Sequence, residues 1–222
     1  MKLDKNQQKQ LISAIRISAD SRGYKARTNT IYKVIDKAFI HCDFLVVNSQ
    51  KLIYRIYIKN YDYDDIFWKI MQMSSNSKRN DSLRAIGAFK APSVLMKNGE
   101  IELIEKYEEQ AEYLVGLVDE CSRNFMEKYD IDEYVVECED VLMGREVLKC
   151  LAYIHVNNIE QAVKIAQKSI NDGKSGNYGD NGLYWTDYGF MSGTSWSVSG
   201  NGIYGDYTCT FKISSSTERN YL

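Results

Sequence analysis

His41 and Asp43 lie two residues apart, and in an extended segment that spacing puts both side chains on one face. A neutral imidazole oriented by a carboxylate is a usable general base, so this pair is the strongest catalytic candidate by residue type. Arg55 and Tyr57 repeat the spacing in the next extended run and are expected to stand beside them. The same four residues also fit a solvent-facing sheet surface with cross-strand polar pairs. No Ser or Cys nucleophile lies at a recognisable motif nearby, so the four are read as a binding face and no catalytic residue is assigned.

Asp62, Asp64 and Asp65 invite a hard-cation reading, because such ions take clustered carboxylates. No EF-hand spacing follows them, and acids at a helix start serve capping and the helix dipole, so no metal ligand is assigned. Ser77-Lys78-Arg79-Asn80 places two cations among small donors in a polar stretch, which makes Lys78 and Arg79 candidates for meeting a phosphate or carboxylate. Trp185 and Trp196, in a Gly- and aromatic-rich tail, offer large amphipathic contact area for a sugar or a protein. The chain contains no GxxxxGK[ST], GxGxxG or HExxH pattern, and its two histidines are 114 residues apart. No cofactor is expected.

The elements that must position these residues are legible in part. Leu11, Ile12, Ile15 and Ala19 recur at helical spacing over 4–21, and Gly23 follows as a stop. Thr30–Asp36, Phe39–Asn48 and Leu52–Lys59 read as strands of an antiparallel meander. Ile40, Cys42, Phe44 and Val46 are expected to face a helix, and Phe39, His41, Asp43 and Leu45 to face away. Tyr61–Met73 reads as a second helix, 74–81 as a loop, and Leu83–Met96 as an irregular or strand-like segment ending at an Asn98-Gly99 turn. Ile104, Tyr107, Ala111, Leu114, Val118, Cys121 and Phe125 form a heptad stripe that predicts a helix over 102–128, packed within the chain or against a second copy as a homodimer. Leu142–Val156 and Ile159–Ile170 read as a helical hairpin turning at Asn157-Asn158. In the tail, Tyr207, Cys209, Phe211 and Ile213 alternate as a strand that Trp196-Ser197-Val198 is placed to pair with.

The 222 residues, 44% hydrophobic and 26% charged, are those of a globular chain with a sizeable core. The net charge of −2 conceals segregation: residues 1–60 hold 12 basic and 4 acidic side chains, and residues 101–172 hold 7 basic and 17 acidic. Three regions follow: a basic sheet-bearing part at 1–100, an acidic helical part at 101–172 packed on it, and a β-rich or partly disordered tail at 173–222. The fold class is therefore α+β. Five cysteines without a CxxC pair fit a reducing cytoplasm, and no apolar run is long enough for a membrane span or a secretory signal, so no membrane partner is expected.

The helix, the meander, the Tyr61–Met73 helix and the run Ser82-Leu83-Arg84-Ala85-Ile86-Gly87-Ala88-Phe89-Lys90-Ala91-Pro92-Ser93 resemble, over residues 4–170, a bacterial family of small α+β proteins catalogued as a domain of unknown function. Related sequences occur among immunity-type proteins of bacterial toxin systems. The resemblance implies a fold and carries over no catalytic residue. With polarised charge and no catalytic constellation, the expectation is a non-catalytic protein that binds another protein, as an immunity or antitoxin-like factor. The alternatives are a nucleic-acid-binding module using Lys25, Arg27, Lys33, Lys37, Arg55 and Lys59, and an enzyme centred on His41 and Asp43.

Overall fold

The computed structural model describes residues 2–71, 73–137 and 145–171, and the backbone of tail strands at 176–178, 183–187, 195–202 and 205–212. Helix α1 spans Lys5–Ser21 and opens on a reciprocal cap: Asp4 accepts from the backbone of Asn6 and Gln7, while the Gln7 side chain accepts from Asp4 N–H. It buries Leu11, Ala14, Ile15, Ser18 and Ala19, and Gly23 follows at φ +77, a left-handed position open to glycine.

Strands β1 (Lys25–Arg27), β2 (Thr30–Ile35), β3 (Ala38–Val47) and β4 (Lys51–Asn60) form an antiparallel meander, and β5 (Val94–Glu102) closes a five-stranded sheet in chain order. Asp36 at φ 51, then Asn48 and Ser49 at φ 52 and 60, supply the left-handed turns that hairpin twist demands. Ile40, Cys42, Phe44, Leu52, Tyr54, Ile56 and Ile58 line one sheet face and bury in a single core with α1 and with α4 (Tyr107–Lys128). The alternation read from the sequence is thus observed, and the fold is α+β.

Asn98-Gly99 does not turn. It runs through β5, paired as Arg55↔Asn98 and Tyr54↔Gly99, with a register shift nearby between Ile56 and Tyr57. Gly99 is needed because a Cβ there would lie 2.6 Å from the Tyr54 hydroxyl and 2.9 Å from its Cζ. Gly99→Ala is expected to cost about 1–3 kcal/mol by overpacking, and less in a Tyr54→Phe background, as urea unfolding of the single and double variants would measure.

Helix α2 is Asp62–Ile70 and a short 3-10 turn is Ser74–Lys78, where the sequence suggested only loop. The segment read as irregular or strand-like over 83–96 holds most of α3, Ser82–Ile86, and the start of β5 at Val94. The heptad stripe begins later than expected, because residues 101–102 still belong to β5 and Ile104 is 46% exposed. Ala111, Leu114, Val118 and Phe125 are buried inside the chain, with α4 alongside α1, so a homodimer seam through this stripe would have to open the core.

Helix α5 (Ile131–Glu137) was not anticipated, although Asp130 Oδ1 accepts from the backbone of Asp132 and Glu133 as a helix-start residue does. Helices α6 (Arg145–His155) and α7 (Ile159–Asn171) form the expected hairpin, with Asn157 at φ 60; residues 142–144 of the expected helix lie outside the described residues. In the tail, β6 (Gly176–Tyr178), β7 (Leu183–Asp187), β8 (Ser195–Gly202) and β9 (Gly205–Lys212) make a four-stranded antiparallel sheet, with Trp196↔Phe211 and Val198↔Cys209 in register.

Candidate functional site

The second face of the five-stranded sheet carries the residues singled out for chemistry, and it is divided into a covered half and an open half. The chain from Asn80 to Ala91 crosses the covered half as a strap. Lys59, fully buried on β4, places Nζ 2.7 Å from Asp64 Oδ2 and donates to the Arg84 and Ala91 carbonyls at 2.9 and 3.1 Å. Asp64 Oδ1 accepts from Ala91 N–H at 2.7 Å, and Trp68 Nε1 donates to Phe89 O at 2.6 Å. Arg84 is 2% exposed; it donates to Tyr61 O and Asp65, and its guanidinium lies 3.8 Å from the Tyr61 ring centroid and 4.9 Å from that of Trp68. Lys90 donates to Ala85 O. The strap is therefore fastened by side chains of β4 and α2.

The three aspartates of α2 stand in its first turn, where the helix dipole favours acids, but among the described residues none makes a capping bond to it. Tyr61 stands at the cap position without a capping bond, its hydroxyl donating to Asp81 at 2.8 Å, while Asp64 pairs with Lys59, Asp65 with Arg84, and Asp62 lies 3.6 Å from His155. Burial lowers the Lys59 amine from its ordinary value to about 8, against the opposing pull of Asp64. Burial also lowers Lys90, with Asp43 and Asp64 acting the other way.

His41 lies under the same strap. It is 2% exposed, not solvent-facing, and stacks on Tyr57 with centroids 4.8 Å apart and planes 15° apart. Its Nδ1 is buried and has no hydrogen-bond partner among the described residues. Burial first, then Lys90 and Lys59, hold its pKa well below the ordinary 6.5. A buried neutral imidazole must gain a proton on unfolding, so between pH 7.5 and 5.5 the unfolded chain binds the proton and the native chain does not. Stability therefore drops as the pH is lowered through that interval. Relative to His41→Phe, the natural chain is expected to lose about 1.4 kcal/mol more across that interval, measured by denaturant midpoints at each pH.

Asp43, Arg55, His41 and Tyr57 do come together as two adjacent cross-strand pairs, Asp43↔Arg55 and His41↔Tyr57. They split at the edge of the strap: Arg55 is exposed, Asp43 and Tyr57 are half-buried, and Asp43 Oδ1 accepts from Thr30 Oγ1 at 2.6 Å. Beside them an open groove of about 560 Å³ is lined by Asp43, Leu45, Ile53, Arg55, Asn98 and Glu100 among others. His41 does not line it. The arrangement offers a surface to lean on rather than a pocket in which an imidazole meets a substrate.

Sequence reasoning missed one polar cluster. His155 Nδ1 stands 2.8 Å from Asp132 Oδ2, and Tyr63 donates to Asp132 Oδ1 at 2.6 Å. Burial and the Asp132 carboxylate raise the Tyr63 pKa. The cluster ties α2, α5 and α6 together, and the sequence signals for it were a histidine at the end of one expected helix and an aromatic and acidic start to another; Asp132 lies in the unanticipated α5. Among the described residues no group of three or more His, Cys, Asp or Glu is placed to hold a metal ion.

The fold divides the basic set proposed for nucleic acid. Lys59 is buried, and Lys33 donates to Arg22 O while lying 5.1 Å from the Tyr24 ring centroid. Lys25, Arg27, Lys37 and Arg55 remain exposed. Part of the acidic block answers the basic one internally: Arg22 bonds Glu112 and Asp119 at 2.7 and 3.0 Å, and Tyr24 bonds Asp119 at 2.8 Å. Lys78 and Arg79 are exposed, at the end of the 3-10 turn and just after it. The backbone at Trp185 and Trp196 belongs to β7 and β8, and their side chains lie outside what is described. Among the described residues no helix is long and apolar enough to cross a membrane. Comparison with known proteins returns no matching family model, no matching curated protein and no matching solved structure.

Proposed function

We propose that this chain is a non-catalytic bacterial protein of the cytoplasm that acts by binding another protein, in the manner of an immunity or antitoxin-like factor. The observation that carries this reading is the division of the second sheet face. On this face the groups fit for acid–base or nucleophilic chemistry, His41 and Lys59, are buried beneath the strap, and what the face offers outside is a shallow groove of mixed charged and apolar side chains; the second histidine, His155, lies off the sheet and is engaged by Asp132 and Asp62 between helices. Free thiols at Cys42, Cys121 and Cys150, two of them buried, suit a reducing compartment.

Affinity capture with the full chain from its native host tests the proposal. The expected result is one protein that is retained at low salt and released as the salt is raised, and whose expression without this chain stops growth. Recovery of no protein, or of nucleic acid alone, would overturn it.

A further inference from the structure

The sheet register gathers cations that are far apart in the sequence. Arg27 pairs with Thr30, Thr30 with Asp43, Asp43 with Arg55, and Arg55 with Asn98, which makes one row across all five strands. Directly paired residues share a face, so Arg27 and Arg55 flank Asp43 on the open half, and Lys25 stands in the next row opposite Tyr32. Lys25, Arg27 and Arg55 are all exposed. Strands are about 4.8 Å apart, so the two arginines, three strands apart, are separated by about 14 Å at the backbone. On the other side of the row, Leu45 is 51% exposed and Ile53 is half-buried, and both line the groove. Glu100, also on the groove, is already paired with Lys51 at 2.6 Å.

Resting on the protein-binding reading above, we infer that this row receives an acidic segment of the protein partner. Its carboxylates seat on Arg27 and Arg55, a hydrogen-bond donor meets Asp43, and an apolar side chain covers Leu45 and Ile53. A nucleic acid suits the row less well. Asp43 sits where a phosphate would pass, and the rings on this face are occupied: Tyr32 and Phe39 are buried, and Tyr57 is stacked on His41.

The test is fluorescence anisotropy with the full chain and three labelled probes: a short peptide of Glu and Leu, its Lys and Leu counterpart, and a single-stranded RNA of about 16 nucleotides. The acidic peptide is expected to bind the natural chain and Lys5→Glu alike, because Lys5 lies on α1, outside the sheet. It should bind Arg27→Glu/Arg55→Glu at least about tenfold more weakly, and the basic peptide should gain on that variant. A single cooperative thermal transition for the double variant, with its midpoint lowered by no more than a few degrees because a carboxylate at position 55 faces Asp43, shows that the fold is intact. The inference is overturned if the acidic peptide fails to bind, if the double variant binds it equally well, or if RNA binds more tightly and is lost with the same substitutions. A host protein captured equally by natural chain and double variant would overturn this surface and leave the protein-binding reading standing; capture of no host protein would overturn that reading itself.

Discussion

Asp64→Ala is expected to destabilise the chain by about 3–5 kcal/mol, because it leaves the fully buried Lys59 ammonium without its carboxylate. Ala91 N–H loses its acceptor at the same time. The cost arises from stranding one charge, not from the strength of the pair, and a second variant separates the two. Replacing both partners together, as Lys59→Met/Asp64→Leu, should recover much of the loss, since two apolar side chains need no desolvated partner. A double-mutant cycle from urea unfolding measures the coupling. The pH dependence carries the same signature. With the native amine lowered to about 8 from 10.5, the unfolded chain holds a proton that the native chain has released between those values, so the Lys59 contribution makes stability rise with pH across that window and stay flat below it. The double variant should lose that rise.

Trp68→Ala is the second large effect, expected at about 3–5 kcal/mol. Trp68 is 1% exposed, supports the Arg84 guanidinium with its ring, and fastens the strap through the bond to Phe89 O. Its removal leaves a cavity and also one fewer anchor on a segment that pairs with no strand among the described residues. Hydrogen exchange should therefore show amides of 83–91 losing protection first, with those of β3 and β4 retaining theirs until global unfolding. Uniform loss across strap and sheet would show that the strap is part of the central cooperative unit.

The strap explains why the site was only half legible. The alternation of β3 and β4 is a period-two signal, and it placed Ile40, Cys42 and Phe44 on the core side and His41 and Lys59 on the other. Nothing in that period says what covers the other side. Residues 80–91 have neither helical nor strand periodicity beyond the five-residue α3, so their position over His41 was not predictable from pattern. The aspartates of α2 are half legible for a related reason: their place in the first turn is a helix-start signal, but the cation that claims Asp64 or Asp65, Lys59 or Arg84, comes from another element. The α4 stripe was recognised because its repeat is long, whereas its first member, Ile104, fell in the connection after β5. Helix α5 was missed although Asp130 and Glu133 stand at cap and third helical positions, a start signal that local reading can detect.

The row from Arg27 to Asn98 was invisible for a different reason. Arg27 and Arg55 are 28 residues apart in sequence, and only the pairing through Thr30 and Asp43 aligns them. Charge counting found the basic block but could not separate the members spent inside, Arg22, Lys33 and Lys59, from those left outside.

The most direct measurement is the dissociation constant of the captured host protein for the natural chain and for Arg27→Glu/Arg55→Glu, each at low and high salt. Binding by the open half of the sheet face predicts a constant at least about tenfold larger for the variant and a weaker dependence on salt. Equal constants at both salt concentrations would contradict it.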